Sequence, residues 1–383
     1  MKTLLLGHPR PPETLSDQSG RRELEAETPT RRILIYRVGS LGDTVVALPA
    51  LRLIASAFPD AERWVLTNFN VNAKAAPMAS VLEGTGLVHG YLEYPIGLRD
   101  VVGLLRLRRE IRRLRPEALV YLAGARGRAK AWRDALFFRA CGIRRLIGVP
   151  YGVDHQRPRL LGGGLYEYEG ARLARCLRAL GDARPDAPDA FDLALSDTEH
   201  QAAFGALGPL TDGRPLLMAS IGAKVDVKDW GDVNWSALLT RLGSQLPEWG
   251  LAMLGTAEER GRSEALLANW PGIRVNLCGD LDVRESAAVL THARIYLGHD
   301  SGPMHLAAAV GTPCVAVFSS RSLPGEWFPY GDQHRVLYRS ISCQGCRLEV
   351  CIERQKACIR SITVDEVECS VLELVKRLGV RSR

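Results

Sequence analysis

No apolar run in this chain of 383 residues approaches the ~18 to 20 residues needed to cross a bilayer, so no membrane span is expected. The opening MKTLLLGHPR has three leucines as its only apolar core. That is too short for a secretory signal, and the expected location is the cytoplasm. The first glycine-containing turn, VGSLGD, has Gly-x-x-Gly spacing. The Gly-x-Gly-x-x-Gly fingerprint of dinucleotide binding is therefore absent there. The basic stretches have no aromatic-interleaved strand, zinc-finger spacing or helix-turn-helix pattern beside them, so nucleic acid is not an expected partner.

The composition is 46% hydrophobic and 24% charged, that of a globular protein large enough for two domains of roughly 150 to 200 residues each. Residues 1–30 read as a mobile polar tail, because 11–30, PPETLSDQSGRRELEAETPT, is polar and aperiodic. The net charge of +7 is unevenly placed: residues 99–159 hold 16 Lys/Arg against 5 Asp/Glu. Such a run is either a solvated helix face or an attractor for something anionic, such as a phosphorylated substrate or an acidic membrane surface.

Short aliphatic runs alternate with helical ones. ILIYRV (33–38), RWVLTN (63–68), EALVYLA (117–123) and RLIGVP (145–150) read as buried strands. TVVALPALRLIASAF and VVGLLRLRREIRRLR between them carry helical periodicity. A Pro/Asp-rich linker at 181–200 follows, and Ser196 and Glu199 have the spacing of a capping box. A second alternation runs through PLLMASIG (215–222), GLAMLG (250–255), IRVNLCG (273–279), RIYLGHD (294–300) and CVAVFSS (314–320). The expectation is α/β: two Rossmann-like domains facing a central cleft, 31–190 and 191–383, with ligands beyond the carboxyl ends of the strands.

The unusual residues follow those strand ends. Asp43 ends the first glycine turn at a helix start. There it is either a plain N-cap or, since a carboxylate would repel a phosphate, a base for a hydroxyl. The cleft location favours the base. In YLGHDSGPMHLAAAVGTPCVAVF a helix begins near Pro303, and the amides near Ser301 and Gly302 make an anion site. His305 shares that helix face with Ser301, and Asp300 is either a cap or a sugar contact. Lys224 and Lys228 are solvated lysines or pyrophosphate partners. Glu258 and Glu259 are a solvated helix start or acceptors of ribose hydroxyls. Cys343, Cys346, Cys351 and Cys358 lie within 16 residues. Four thiols so close can hold zinc, but the second Cys-x2-Cys unit is missing. A structural thiol cluster or a redox-labile loop are the other readings.

Taken in order and spacing, ILIYRVGSLGDTVVALPALRLIASAFPDA, YLGHDSGPMHLAAAVGTPCVAVF, the cysteine run and CIRSITVDEV resemble glycosyltransferase family 9, the ADP-heptose:lipopolysaccharide heptosyltransferases. The resemblance covers about residues 31–370. It implies a GT-B fold and metal-independent, inverting transfer without a cofactor, from a nucleotide sugar (ADP-heptose) held by the C-terminal domain. The acceptor it implies is an anionic lipid-linked glycan, met at the inner membrane face. By the resemblance Asp43 is the catalytic base and Arg37 contacts the acceptor. Lys228 meets the pyrophosphate, Glu259 the ribose, and Asp300, Ser301, Gly302 and His305 form the donor block. Ala223 and Lys224 replace a hydroxyl pair of some members. Gly42, Arg126 and Arg128 are the remaining candidates on the acceptor side. Two rivals share the fold: a nucleotide-sugar epimerase of the UDP-N-acetylglucosamine 2-epimerase type, and a non-catalytic basic scaffold.

Overall fold

Two all-parallel sheets organise the chain, and the computed structural model describes residues 31–68, 77–95, 97–98 and 100–379. The first sheet holds β1 (Arg31–Tyr36), β2 (Ala61–Asn68), β3 (Gly90–Tyr94), β4 (Ala118–Tyr121) and β5 (Arg145–Ile147), in the order β3-β2-β1-β4-β5. The second holds β6 (Leu216–Ser220), β7 (Gly250–Met253), β8 (Arg274–Asn276), β9 (Ile295–His299), β10 (Cys314–Val317) and β11 (Arg335–Leu337). Its order is β11-β10-β9-β6-β7-β8. The polar tail at 1–30 and Arg99 lie outside the described residues.

Strand β1 shows why the sheets form. Ile33 and Ile35 pack into a core shared with the helix Leu48–Ala57, while Leu34 and Tyr36 point to the other face, against Leu107, Ile111 and Phe138. A strand buried on both faces reads as a continuous apolar run, and that is what RRILIY becomes after its two arginines. Register brings the strand ends level: Tyr36 lies beside Tyr121, and Ser220 beside Gly298. The loops that follow therefore emerge side by side.

Three details add to what was expected. The run after Asp43 is two helices, Leu41–Val46 and Leu48–Ala57, broken at Ala47. Pro49 lacks the N–H that would bond the Val45 carbonyl, and its ring crowds that carbonyl. Strands β3 and β11 are additional, short and at sheet edges, where little burial leaves little pattern to read. The 181–200 linker is packed down: Ala190 and Leu193 are buried. Buried Arg284 bonds the carbonyls of Leu193, Ala194 and Val81 and pairs with Glu199. The Ser196/Glu199 capping box forms and opens the helix Asp197–Leu207. Among the described residues no helix is long and apolar enough to cross a membrane.

Candidate active site

Asp43 is the third residue of the helix Leu41–Val46, whose N-cap is Ser40. Its Oδ2 accepts from the Ser40 N–H at 2.9 Å and from the Ser40 hydroxyl at 3.1 Å. The carboxylate thus fastens its own turn, as a capping box does, and one third of the side chain remains exposed to the cavity. Gly39 makes the turn possible. Its φ is +145°, and a Cβ there would lie 2.5 Å from the Asp43 Cβ. Gly42 serves a different purpose: a Cβ on it would stand 2.7 Å from the His305 ring, so the glycine lets the two halves of the site meet.

The opposing wall comes from the end of β9. Ser301 stands at the N-cap position of the helix Gly302–Ala309 with its hydroxyl donating to the His299 carbonyl at 3.3 Å, and Pro303 is in the first turn, where a missing N–H costs nothing. His305 is 4% exposed and lines the cavity beside Asp43. Burial, helped by Lys228, pushes its imidazole down to about 4 against the pull of Asp300 and Asp43. At neutral pH it is a neutral ring, a hydrogen-bond partner and not a cation. Lys228 reaches the same place from the turn Asp226–Lys228: its Nζ is 2.7 Å from the Asp300 carboxylate and donates to the Asp300 carbonyl at 3.0 Å.

Sequence reasoning missed His299, the residue that holds this lysine loop in place. Its Nε2 accepts the Trp230 N–H at 3.0 Å and its Nδ1 lies 3.4 Å from the Gly222 carbonyl, so one buried ring pins both ends of the loop. The ring packs edge-on against Trp235, and burial pushes it down to about 4, which keeps Nε2 free to accept. Its position at the end of a strand was the available signal.

Two cavities adjoin at these loops. One, of about 290 Å³, is lined by Leu254, Leu281, Val283 and Leu306, with Glu259 and Ser286 among its polar groups. Glu259 caps the turn Ala257–Glu259 through the Thr256 N–H at 2.9 Å, and its carboxylate lies against Gly222, where a Cβ would displace it. The second, of about 240 Å³, holds Asp43, Lys228, Asp300 and His305. Lys224, Ser301, Gly302, Ser40 and Gly42 line both, so they form the neck. Arg321, Ser322, Trp327 and Arg347 complete the second cavity and were not anticipated, although Arg321 follows the end of β10 as Asp43 follows β1.

Three arginines expected on the acceptor side do not line the Asp43 cavity. Arg37 is 1% exposed, beneath the Asp43 loop, donating to the carbonyls of Leu122 and Asp43. A guanidinium so enclosed shapes the loop and does not meet an acceptor in this conformation. Arg126 lines a separate pocket at the ends of β1 and β3. There it bonds Asp134 at 2.6 Å and the hydroxyls of Tyr36 and Tyr121. Arg128 lies at the surface and donates to the Tyr151 carbonyl. All nine cysteines are thiols, and no group of three or more His, Cys, Asp or Glu among the described residues is placed to hold a metal ion.

Two parallel-sheet α/β domains with a polar cleft at their strand ends are the GT-B fold. The profile of glycosyltransferase family 9 (heptosyltransferase) matches residues 177–357. Lipopolysaccharide heptosyltransferase 1 of Pseudomonas aeruginosa is 25% identical over 336 residues, 84% of this chain and 87% of that one. Lipooligosaccharide heptosyltransferase 2 of Campylobacter jejuni is 23% identical over 174 residues, 44% and 53% of the two chains. Among solved structures, a family 9 glycosyl transferase from Veillonella parvula superposes with a TM-score of 0.67 at 17% identity, covering 91% of this chain and 98% of that one. The E. coli ADP-heptose LPS heptosyltransferase II gives 0.62 at 19% identity, covering 91% and 100%. The chain is thus similar to glycosyltransferase family 9 through residues 177–357 and to heptosyltransferases over most of its length, and these relatives indicate a glycosyltransferase.

Proposed function

We propose that this enzyme transfers heptose from ADP-heptose to the core of a lipopolysaccharide, with inversion and without a metal ion. The observation that carries the reading is the opposition of Asp43 to Lys228 and His305 across one small cavity, with Gly42 against His305. Similar proteins are named as lipopolysaccharide heptosyltransferases, and one similar E. coli heptosyltransferase was solved with ADP. In this reading residues 191–383 bind the donor, and the acceptor enters the Asp43 cavity from the side of 31–190. The nucleoside occupies the apolar-lined cavity, with its ribose on Glu259. The diphosphate sits at the neck, on Lys224 and the amides at Ser301 and Gly302.

Transfer then needs one base and one charge sink. Asp43 takes the proton of the acceptor hydroxyl as its oxygen bonds to the anomeric carbon. The bond from that carbon to the diphosphate breaks, and the electron pair leaves with the diphosphate. Lys224, Lys228, helix-end amides and the neutral His305 ring receive the growing negative charge, the role a divalent cation has elsewhere. The test is a transfer assay with ADP-heptose and heptose-free lipopolysaccharide. Transfer should be undiminished by EDTA and undetectable with UDP- or GDP-sugars. Donor turnover without acceptor would instead indicate an epimerase, and a failure to bind any nucleotide would indicate a scaffold.

Peripheral contact with an anionic membrane is part of the proposal. Val101, Val102 and Leu105 are exposed on the helix Val101–Leu114, and Trp132 and Leu136 on Arg128–Ala140. Arg106, Arg109, Arg112 and Arg113 are exposed on the first of these helices and make no ion pair among the described residues. Exposed apolar side chains beside unpaired arginines suit the headgroup region of a bilayer. Sedimentation with phosphatidylglycerol vesicles should fall steeply as salt rises past the ~8 Å screening regime, while ADP affinity changes little. Changing the four arginines to glutamate should abolish sedimentation. Equal sedimentation by that variant would return the helix to a merely solvated role.

A further inference from the structure

The cavity that holds Asp43 has a wall left unassigned by the reading above. Arg321 and Arg347 line it together, and neither borders the adjoining nucleoside cavity. Arg321 follows β10, and Arg347 lies in the cysteine-rich segment, between Cys346 and Cys351. Each arginine holds the other in place. The Arg347 N–H donates to the Arg321 carbonyl at 2.9 Å, and the Arg321 guanidinium donates to the carbonyls of Leu348 and Arg347 at 2.8 and 3.1 Å. Arg347 takes a left-handed backbone with φ of 60°, a conformation that a side chain beyond glycine adopts at a cost and that clusters at ligand sites.

The segment carrying Arg347 is braced at both ends of the cavity wall. The Gly345 N–H bonds the Ser320 carbonyl at 2.8 Å, and the Glu349 carbonyl accepts the Val227 N–H at 3.1 Å, one residue from Lys228. Lys356 pairs with Asp226 at 3.0 Å. Charge on this wall is only half compensated. Buried Glu326 takes Arg347 at 2.7 and 2.8 Å, whereas Arg321 has no carboxylate partner among the described residues. Two arginines lining one cavity with one carboxylate partner between them are complementary to a further anion, and their planar forks suit carboxylate or phosphate.

We propose that Arg321 and Arg347 form a receptor for an acidic group, carboxylate or phosphate, on the acceptor sugar. The proposal rests on the functional reading above, which puts the donor diphosphate at the neck. The neck is lined by Lys224, Ser301 and Gly302 and not by this pair. An anion held at Arg321 and Arg347 would turn the acceptor ring so that one hydroxyl faces Asp43. The cysteine-rich segment then acts as the scaffold that delivers Arg347, which gives it a purpose independent of any metal.

The probe is the deacylated, heptose-free core oligosaccharide of lipopolysaccharide, used intact and after reduction of its carboxylates and removal of its phosphates. On the intact oligosaccharide R321Q and R347Q should each raise the acceptor KM roughly 10- to 100-fold, the range for losing a hydrogen bond to a charged group. Their ADP Kd and kcat should stay within about twofold of wild type, and on the neutralised oligosaccharide wild type and variants should coincide. An unchanged KM on the acidic oligosaccharide overturns the proposal. A parallel loss of ADP affinity also overturns it, by assigning the pair to the donor. Calorimetric titration of the same oligosaccharides into ADP-saturated protein reads the pair without turnover, so an absence of transfer by wild type would strike the functional reading alone. Wild-type urea stability is required of both variants, since R321Q loses bonds to the Leu348 and Arg347 carbonyls and R347Q leaves buried Glu326 unpaired; R347Q with E326Q, which strands no charge, should show the same rise in acceptor KM.

Discussion

Asp43→Asn is expected to slow the chemical step by ~10² to 10⁴, the usual contribution of a general base, while the Kd for ADP stays at the wild-type value. Asparagine keeps an oxygen that can accept from the Ser40 N–H and hydroxyl, the bonds that Asp43 Oδ2 makes at 2.9 and 3.1 Å. The helix start therefore survives, and the ability to take a proton does not. Single-turnover transfer and ADP calorimetry separate the two effects. A variant with weakened ADP binding and wild-type turnover would show that Asp43 serves the donor site and is not the base.

Lys228→Ala should have the second large effect, on binding and chemistry together. It removes a charge from the diphosphate side and strands Asp300, 5% exposed and 2.7 Å from the lysine. Removing one partner of a buried pair costs ~3 to 5 kcal/mol, and here the stranded carboxylate also faces the incoming phosphates. We expect ADP affinity to fall by roughly 100-fold or more and the single-turnover rate to fall further, because leaving-group charge grows in the transition state. Adding Asp300→Asn should restore much of the urea stability and little of the rate. Recovery of full activity in that double variant would mean that Lys228 only neutralises Asp300. His305→Ala should slow the chemistry less, since it removes a neutral donor.

The two halves of the site were unequally legible. Asp43, Lys228 and the run from Asp300 to His305 each follow a strand of buried aliphatics, and a strand-end position is visible in one dimension. Arg126 and Arg128 also follow a strand, β4, yet they lie outside the Asp43 cavity. The rule identifies the end of the sheet but not the side of it. The burial of Arg37 was hidden for a related reason. Strand alternation says that it faces away from Tyr36, but not that Leu122 and the Asp43 backbone close over it.

Hydrophobic period and turn chemistry are local, so the sequence by itself determined the two parallel sheets, the tight turn at Gly39, the Ser196 cap and the helix start at Ser301. Contacts between residues far apart in the chain have no local signature. Tertiary structure alone decided that Gly42 meets His305, that His299 pins the lysine loop, and that Lys228 is bound to Asp300 before any phosphate arrives. It also decided that a cysteine-rich stretch brings Arg347 to the cavity wall. Each of these depends on burial and register between separate elements, which set the charge state of a histidine and the partner of an arginine.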